Sequence, residues 1–205
     1  MSWIVIATVV GGVVVILFCL IFVLPRWFLT DYPTGEYGRT QAQIKDLRYA
    51  IQVYDVDYNR YPLSSSVLSA ADGKDISTRS RGQILPMLIG NENAPQGKMQ
   101  MNPKDIRYIV LPKAQNHKSG TWQDGSELVL SDPWGEPYYI VLDTNNDHQI
   151  ANPEYGADPP APDYEKRGQA SSPPKTLPLE ILIYSSGPDR DPKTWHDNVC
   201  SWYPR

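Results

Sequence analysis

The hydrophobic residues of this chain fall first in one long run and then in short segments separated by polar stretches. The run covers residues 3–24 and contains no charged side chain. As a helix it would span roughly 33 Å, close to the thickness of the hydrocarbon core of a bilayer. A backbone in lipid must satisfy its own hydrogen bonds, so the pattern predicts a transmembrane anchor at residues 1–26. A cleaved signal peptide fits less well, because no basic side chain precedes the run and no small-x-small cleavage site follows it.

A second apolar pattern has the period of a helix. Beyond a connector at residues 27–39, apolar side chains recur at three- and four-residue spacing, at Ile44, Leu47, Ile51, Tyr54 and Tyr58. This spacing predicts an amphipathic helix that begins near Thr40 and buries one face. Pro62 cannot continue a helix and disfavours helical geometry at the preceding residue, so the helix is expected to end within residues 59–62.

The remaining apolar segments are short and rich in β-branched and aromatic residues, which is typical of strands. Strands are predicted at residues 106–111, 127–130, 138–142 and 179–184. Residues 64–81 predict a loop with a short helical piece, residues 82–90 a short helix interrupted at Pro86, and the polar, proline-rich residues 151–178 a surface insertion that does not pack. A helix followed by strands without alternation predicts an α+β fold, with the amphipathic helix packed on a small antiparallel sheet with long loops.

Charge, cysteine content and motifs narrow the classes of function. The chain has 19 basic and 23 acidic side chains, which gives no electrostatic case for binding nucleic acid. Cys19 lies within the apolar run and Cys200 near the C-terminus, so no intrachain disulfide is expected. The three histidines are scattered through polar loops without metal-ligand spacing, and the sequence has neither a nucleophile elbow nor a glycine-rich phosphate loop. The chain is therefore not expected to be an enzyme.

Three segments resemble, in the same order, the major pseudopilins of type II secretion systems. Residues 40–62 resemble the family's segment that runs from the helix into a Tyr-Pro turn, and SDPWGEPYYI at residues 131–140 resembles its Asp-Pro-Trp-Gly turn. Residues 183–191 (IYSSGPDRD) and 197–202 (DNVCSW) resemble its terminal loop, which closes on a Ser-Trp pair that includes Trp202. In the second segment, Pro133 rigidifies the backbone beside Gly135, and Trp134 supplies a large surface that locks the turn onto the core.

The resemblance implies a pilin-like globular domain at residues 40–205. It implies a single-pass protein of the bacterial cytoplasmic membrane, with residues 3–24 in the bilayer and the C-terminal domain outside the cytoplasm. Its expected role is that of a structural subunit whose partners are other pseudopilins or subunits of the secretion apparatus. The resemblance also implies a calcium ion in the terminal loop, bound by Asp189, Asp191, Asp197 and Asn198.

A second candidate calcium loop follows the strand predicted at residues 138–142. Residues 143–154 (DTNNDHQIANPE) place oxygen ligands at the spacing of an EF-hand loop, at Asp143, Asn145, Asp147, the Gln149 carbonyl and Glu154. His148 stands where those loops carry a glycine, and a strand precedes the loop where an EF-hand has a helix. The alternative is a turn in which Asp and Asn side chains bind their own backbone.

A second function stays open at this point. The short basic leader of the pseudopilins and the glutamate within their apolar helix are not matched here. This favours a standalone, membrane-tethered binding module, which would present the insertion at residues 151–178 to a ligand and would not polymerise.

Overall fold

A computed structural model describes residues 35–90, 102–157 and 173–202. The chain divides into two units, Met1–Thr34 and Gly35–Arg205. The predicted anchor and residues 27–34 of the predicted connector lie outside the described residues. Within the described ranges, no helix is both long and apolar enough to cross a bilayer.

The described elements confirm an α+β fold. Its helices are α1 (Glu36–Tyr58), α2 (Ser65–Ala70) and α3 (Ile84–Ile89). Its strands are, in chain order, β1 (Ile76–Arg79), β2 (Gly120–Asp124), β3 (Glu127–Ser131), β4 (Tyr139–Leu142), β5 (Ile150–Ala151), β6 (Thr176–Leu177), β7 (Ile181–Ser185) and β8 (Val199–Cys200). A four-stranded sheet has the order β1-β4-β7-β8, and each of its neighbouring pairs is antiparallel.

Helix α1 buries the face that its apolar spacing predicts. Ile44, Leu47, Ile51 and Tyr54 are all buried against the sheet. The helix begins at Glu36, so the predicted start near Thr40 was wrong, and residues 36–39 are helical rather than part of a connector. Gly35, at φ 103°, makes the turn into the helix, and Glu36 lies in the first turn, where a negative charge is favourable. The helix ends at Asn59, which takes a left-handed conformation.

Two predictions around α3 were wrong. Residues 106–111 form no strand, because the N–H groups of Tyr108 and Ile109 donate to the carbonyl of Leu88 instead of to a neighbouring strand. That carbonyl lies in the last turn of α3 and needs a partner from outside the helix. Pro86 does not interrupt α3, because it occupies the first turn, where a missing N–H breaks no intrahelical bond.

The sequence did not predict five of the described strands, namely β1, β2, β5, β6 and β8. The predicted β3 pairs with β2 in a hairpin, and the short strands β1 and β8 form the two edges of the main sheet. The expectation that residues 151–178 do not pack was wrong for both ends of the segment. Ile150 and Ala151 pair with Leu177 and Thr176, and Leu177 is buried. Residues 158–172 lie outside the described residues.

The main sheet is covered on both faces. In β7, Ile181 and Ile183 point into the core beneath α1, whereas Leu182 and Tyr184 point into a second core. That second core also contains Ile150, Leu177, Trp195 and Cys200. Trp195 comes from the loop between β7 and β8, so this loop is anchored by an aromatic side chain at its centre.

Candidate metal centre

The loop between β7 and β8 brings three potential metal ligands together. Asp189, His196 and Asp197 each offer a ligand atom, and these atoms all lie within 4.8 Å of one another. The Nε2 atom of His196 is 3.9 Å from Oδ1 of Asp197. Among the described residues, no other group of three His, Cys, Asp or Glu side chains converges in this way.

One oxygen of Asp197, within this cluster, and one of the next residue, Asn198, are buried without a hydrogen-bond partner. Asp197 and Asn198 are 8% and 3% exposed, and the Oδ1 atom of each accepts no hydrogen bond. A buried carboxylate or amide oxygen without a donor costs free energy. Carboxylate and amide oxygens are both ligands that a hard cation accepts.

Asp189 is held as a carboxylate at the surface of the loop. Its Oδ1 accepts the N–H of Asp191 at 2.8 Å, and its Oδ2 accepts the hydroxyl of Thr194. Burial alone would raise the pKa of Asp189, but these hydrogen bonds and the nearby His196 together lower it. The charged form of Asp189 is therefore favoured, and this is the form that a cation binds.

Gly187 allows the loop to close on itself. Its φ is +67°, and a Cβ built at this position would lie 2.5 Å from the carbonyl oxygen of Asp197. Its N–H donates to the Ser185 hydroxyl at 3.1 Å. A side chain here would push the two ends of the loop apart, so glycine is what lets Asp197 approach Asp189.

The four predicted ligands in this loop behave differently. Asp189 and Asp197 belong to the cluster, and Asn198 directs its Nδ2 to the Pro192 carbonyl at 3.2 Å, leaving its Oδ1 buried. Asp191 lies outside the cluster, and its Oδ1 accepts the N–H of Lys193 at 2.9 Å. The sequence did not predict His196, because a single histidine in a polar loop carries no spacing signal. Two carboxylates and an amide oxygen fit calcium, whereas the imidazole is better suited to zinc.

The EF-hand-like loop adopts the turn that was the alternative prediction. Asn145 Oδ1 accepts the N–H of Asp147, Asp147 Oδ1 accepts the N–H of Gln149, and Asp143 Oδ2 accepts the N–H of His148. Glu154 is buried near the β5-β6 pair and does not converge with Asp143 and Asp147 on a shared centre. Within this segment β5 starts at Ile150 and carries the chain into a ladder with β6, and a calcium ion bound by the twelve residues together stays a prediction.

The four residues with a predicted structural role lie in the β3–β4 turn and beside the second core. Pro133 and Trp134 are buried, and the Trp134 ring meets Tyr37 edge-on with centroids 5.3 Å apart. Gly135 has φ 102°. Trp202 is half-buried, with its ring centroid 6.1 Å from that of Trp195. These four residues support the β3–β4 turn and the second core.

The chain matches no protein-family model, no curated protein and no solved structure.

Proposed function

We propose that this chain is a non-enzymatic, membrane-anchored and pseudopilin-like structural subunit of a type II secretion or type IV pilus-like assembly. In this proposal, residues 3–24 hold it in the bacterial cytoplasmic membrane with the pilin-like domain outside the cytoplasm. A calcium ion in the β7–β8 loop stabilises that domain.

The outer face of α1 is the observation that carries the proposal. The helix buries one face fully, and on the opposite side it exposes Ala42, Tyr49 and Val56, which are spaced by seven residues. Tyr49 is 66% exposed and Val56 83%. Side chains seven residues apart lie on one side of a helix, so these three apolar side chains line up along one face as an interrupted apolar stripe, with Lys45, Asp46 and Gln52 between and beside them. A helix that is apolar toward its own sheet and also exposes large apolar side chains outward offers a surface for packing against a neighbouring subunit.

The convergence of Asp189 and Asp197 supports the calcium part of the proposal. These residues come from the segment that resembles the pseudopilin terminal loop, and one oxygen of Asp197 is buried without a hydrogen-bond donor. A bound cation would supply the charge that this loop lacks.

Site-specific photocrosslinking in living cells tests the subunit role. The full chain is expressed with p-benzoylphenylalanine in place of Tyr49, and a matched variant carries it in place of Tyr155, which is 59% exposed. We expect irradiation of the Tyr49 variant to give covalent dimers and higher multimers of this chain or adducts with other membrane subunits. The Tyr155 variant is the control for general reactivity of an exposed aromatic position.

The same pair of variants separates the proposal from the tethered binding module. Tyr155 belongs to the insertion at residues 151–178, which the binding module would present to its ligand. Adducts from Tyr155 with none from Tyr49 would contradict the subunit role and favour the binding module. The absence of adducts from both positions would also contradict packing through the apolar stripe.

A further inference from the structure

We infer that Asp75 and Asp143 form a second cation site, which binds a hard divalent cation and joins the residue that precedes β1 to the loop after β4. This site is separate from the β7–β8 loop and does not depend on the proposed subunit role. Its ligand set differs from the predicted EF-hand-like loop, because Asp75 lies in a distant segment of the chain, directly before β1.

The strand register places the two carboxylates side by side. The last pair of the β1-β4 ladder is Ile76 opposite Leu142, so Asp75 and Asp143 are the next opposing positions. Immediately beyond them, the Thr144 hydroxyl donates to the carbonyl of Lys74 at 2.6 Å. The two segments are therefore held together on both sides of the Asp75–Asp143 pair. Directly opposite side chains in such a pair have Cβ atoms about 5 Å apart, and like charges there are destabilising.

Each of these residues also has a buried oxygen without a donor. Asp143 is 1% exposed and Asp75 is half-buried, and the Oδ1 atoms of both are shielded from solvent and accept no hydrogen bond. The other oxygen of Asp143 is satisfied by the N–H of His148 at 2.8 Å. Leaving two such oxygens unsatisfied is costly, and one shared cation would satisfy both.

The charges around the pair are also negative. Burial, followed by the charges of Asp143 and Asp147, raises the pKa of Asp75. Within the described residues, neither Asp75 nor Asp143 forms an ion pair with a Lys, Arg or His side chain. The backbone N–H of His148 binds Asp143, but the imidazole of His148 is directed to Glu180 at 3.0 Å. A concentration of carboxylate oxygens without a basic partner favours a hard cation such as calcium or magnesium.

Calorimetric titration of the full chain tests this site. Calcium chloride and magnesium chloride are titrated separately into the Asp197→Asn protein, in which the β7–β8 loop is disabled, and into the same protein carrying Asp75→Asn. We expect the first protein to bind at least one of the two ions and the second to bind it at least tenfold more weakly. The matched control is Asp72→Asn, which removes the same charge from an exposed position three residues earlier. It should leave the affinity unchanged.

Hydrogen exchange of the wild-type chain tests the same site without any substitution. The expected result is that the ion slows exchange of the Asp143 and His148 amides, whether or not Asp75→Asn folds well. Equal binding with and without Asp75→Asn, equal loss in Asp72→Asn, or the absence of both heat and protection with both ions would each overturn the proposal.

Discussion

The carboxylate of Asp132 holds the turn between β3 and β4 from inside the protein. Asp132 is fully buried, and its Oδ1 accepts the N–H groups of Trp134, Gly135 and Glu136 at 2.8 to 2.9 Å. Its Oδ2 accepts the hydroxyl of Ser185 in β7 at 2.6 Å. One side chain therefore satisfies three backbone donors of the turn and ties the turn to the central sheet.

Two replacements of Asp132 distinguish the contribution of its hydrogen bonds to stability from the contribution of its charge. We expect Asp132→Ala to lower the free energy of unfolding by about 3 kcal/mol, since it leaves several buried donors without an acceptor. Asp132→Asn should cost about 1 kcal/mol or less, because its amide oxygen can accept the same three N–H groups and the Ser185 hydroxyl can turn to accept its NH₂. Urea unfolding of the full chain measures both values. An equal loss of free energy of unfolding in both variants would show that the charge of Asp132 is essential. The control is Asp46→Ala, which removes an ordinary surface aspartate from the exposed face of α1.

At the scale of elements, α1 ends with an unfavourable charge. Its last turn contains no basic side chain, and Asp55 lies there half-buried. Burial, and after it the charge of Glu180, raises the pKa of Asp55. A negative charge near the C-terminus of a helix also opposes the helix dipole.

The penalty at Asp55 should appear as a pH dependence of stability. Its pKa in the folded state lies above the unfolded value of about 3.9, so the cost is absent at low pH, where the carboxyl is neutral in both states, and develops as the pH rises through the folded pKa. We expect Asp55→Asn to stabilise the full chain by about 0.3–1 kcal/mol at pH 7 and to have no effect near pH 3. Urea unfolding at the two pH values measures this, with Asp46→Asn as the control. A stabilisation that persists at pH 3 would show that Asp55 acts through packing instead.

The elements that the sequence predicts correctly are those with a repeated burial pattern of their own. Helix α1 repeats its apolar spacing over several turns, and β3, β4 and β7 are compact apolar segments. Strand β1 (ISTR) is mostly polar and only half-buried, so nothing within it indicates a strand. It becomes a strand because β4 offers it a free edge, and such pairing between distant segments leaves no local signal.

The candidate sites also differ in whether their residues are close together or far apart in the sequence. The resemblance to a terminal loop placed Asp189 and Asp197 in one site, and they lie within eight residues of each other in the chain. His196 joins them only because the loop closes at Gly187. Asp75 and Asp143 are far apart in sequence, and they meet through the β1-β4 register. No spacing rule for a continuous loop could have found that pair.

At the scale of the whole domain, the β7–β8 loop links ion binding to the second core. Trp195 of this loop is 4% exposed, and its ring packs against Tyr184 of β7 with centroids 5.2 Å apart. The ring therefore fixes the middle of the loop to the sheet, while Asp189 and Asp197 meet near its ends. An ion held by these two carboxylates would oppose opening of the loop and exposure of the core behind it.

Thermal unfolding of the full chain, in calcium and in excess chelator, tests this link. Binding confined to the native state contributes RT ln(1 + [L]/Kd), about 2.7 kcal/mol at a hundredfold excess, which should raise the midpoint by roughly 5–11 °C, since 1 kcal/mol shifts it by about 2–4 °C in a domain of this size. We expect Asp197→Asn to remove most of this shift and Asp191→Asn to preserve it, because Asp191 lies outside the cluster.

The residual shift in Asp197→Asn should disappear when Asp75→Asn is added, since the two sites share no ligand and their effects should add. A shift that depends on Asp191 but not on Asp197 would contradict the cluster as the binding site, and a shift obtained with zinc alone and lost in His196→Ala would assign the cluster to a softer metal.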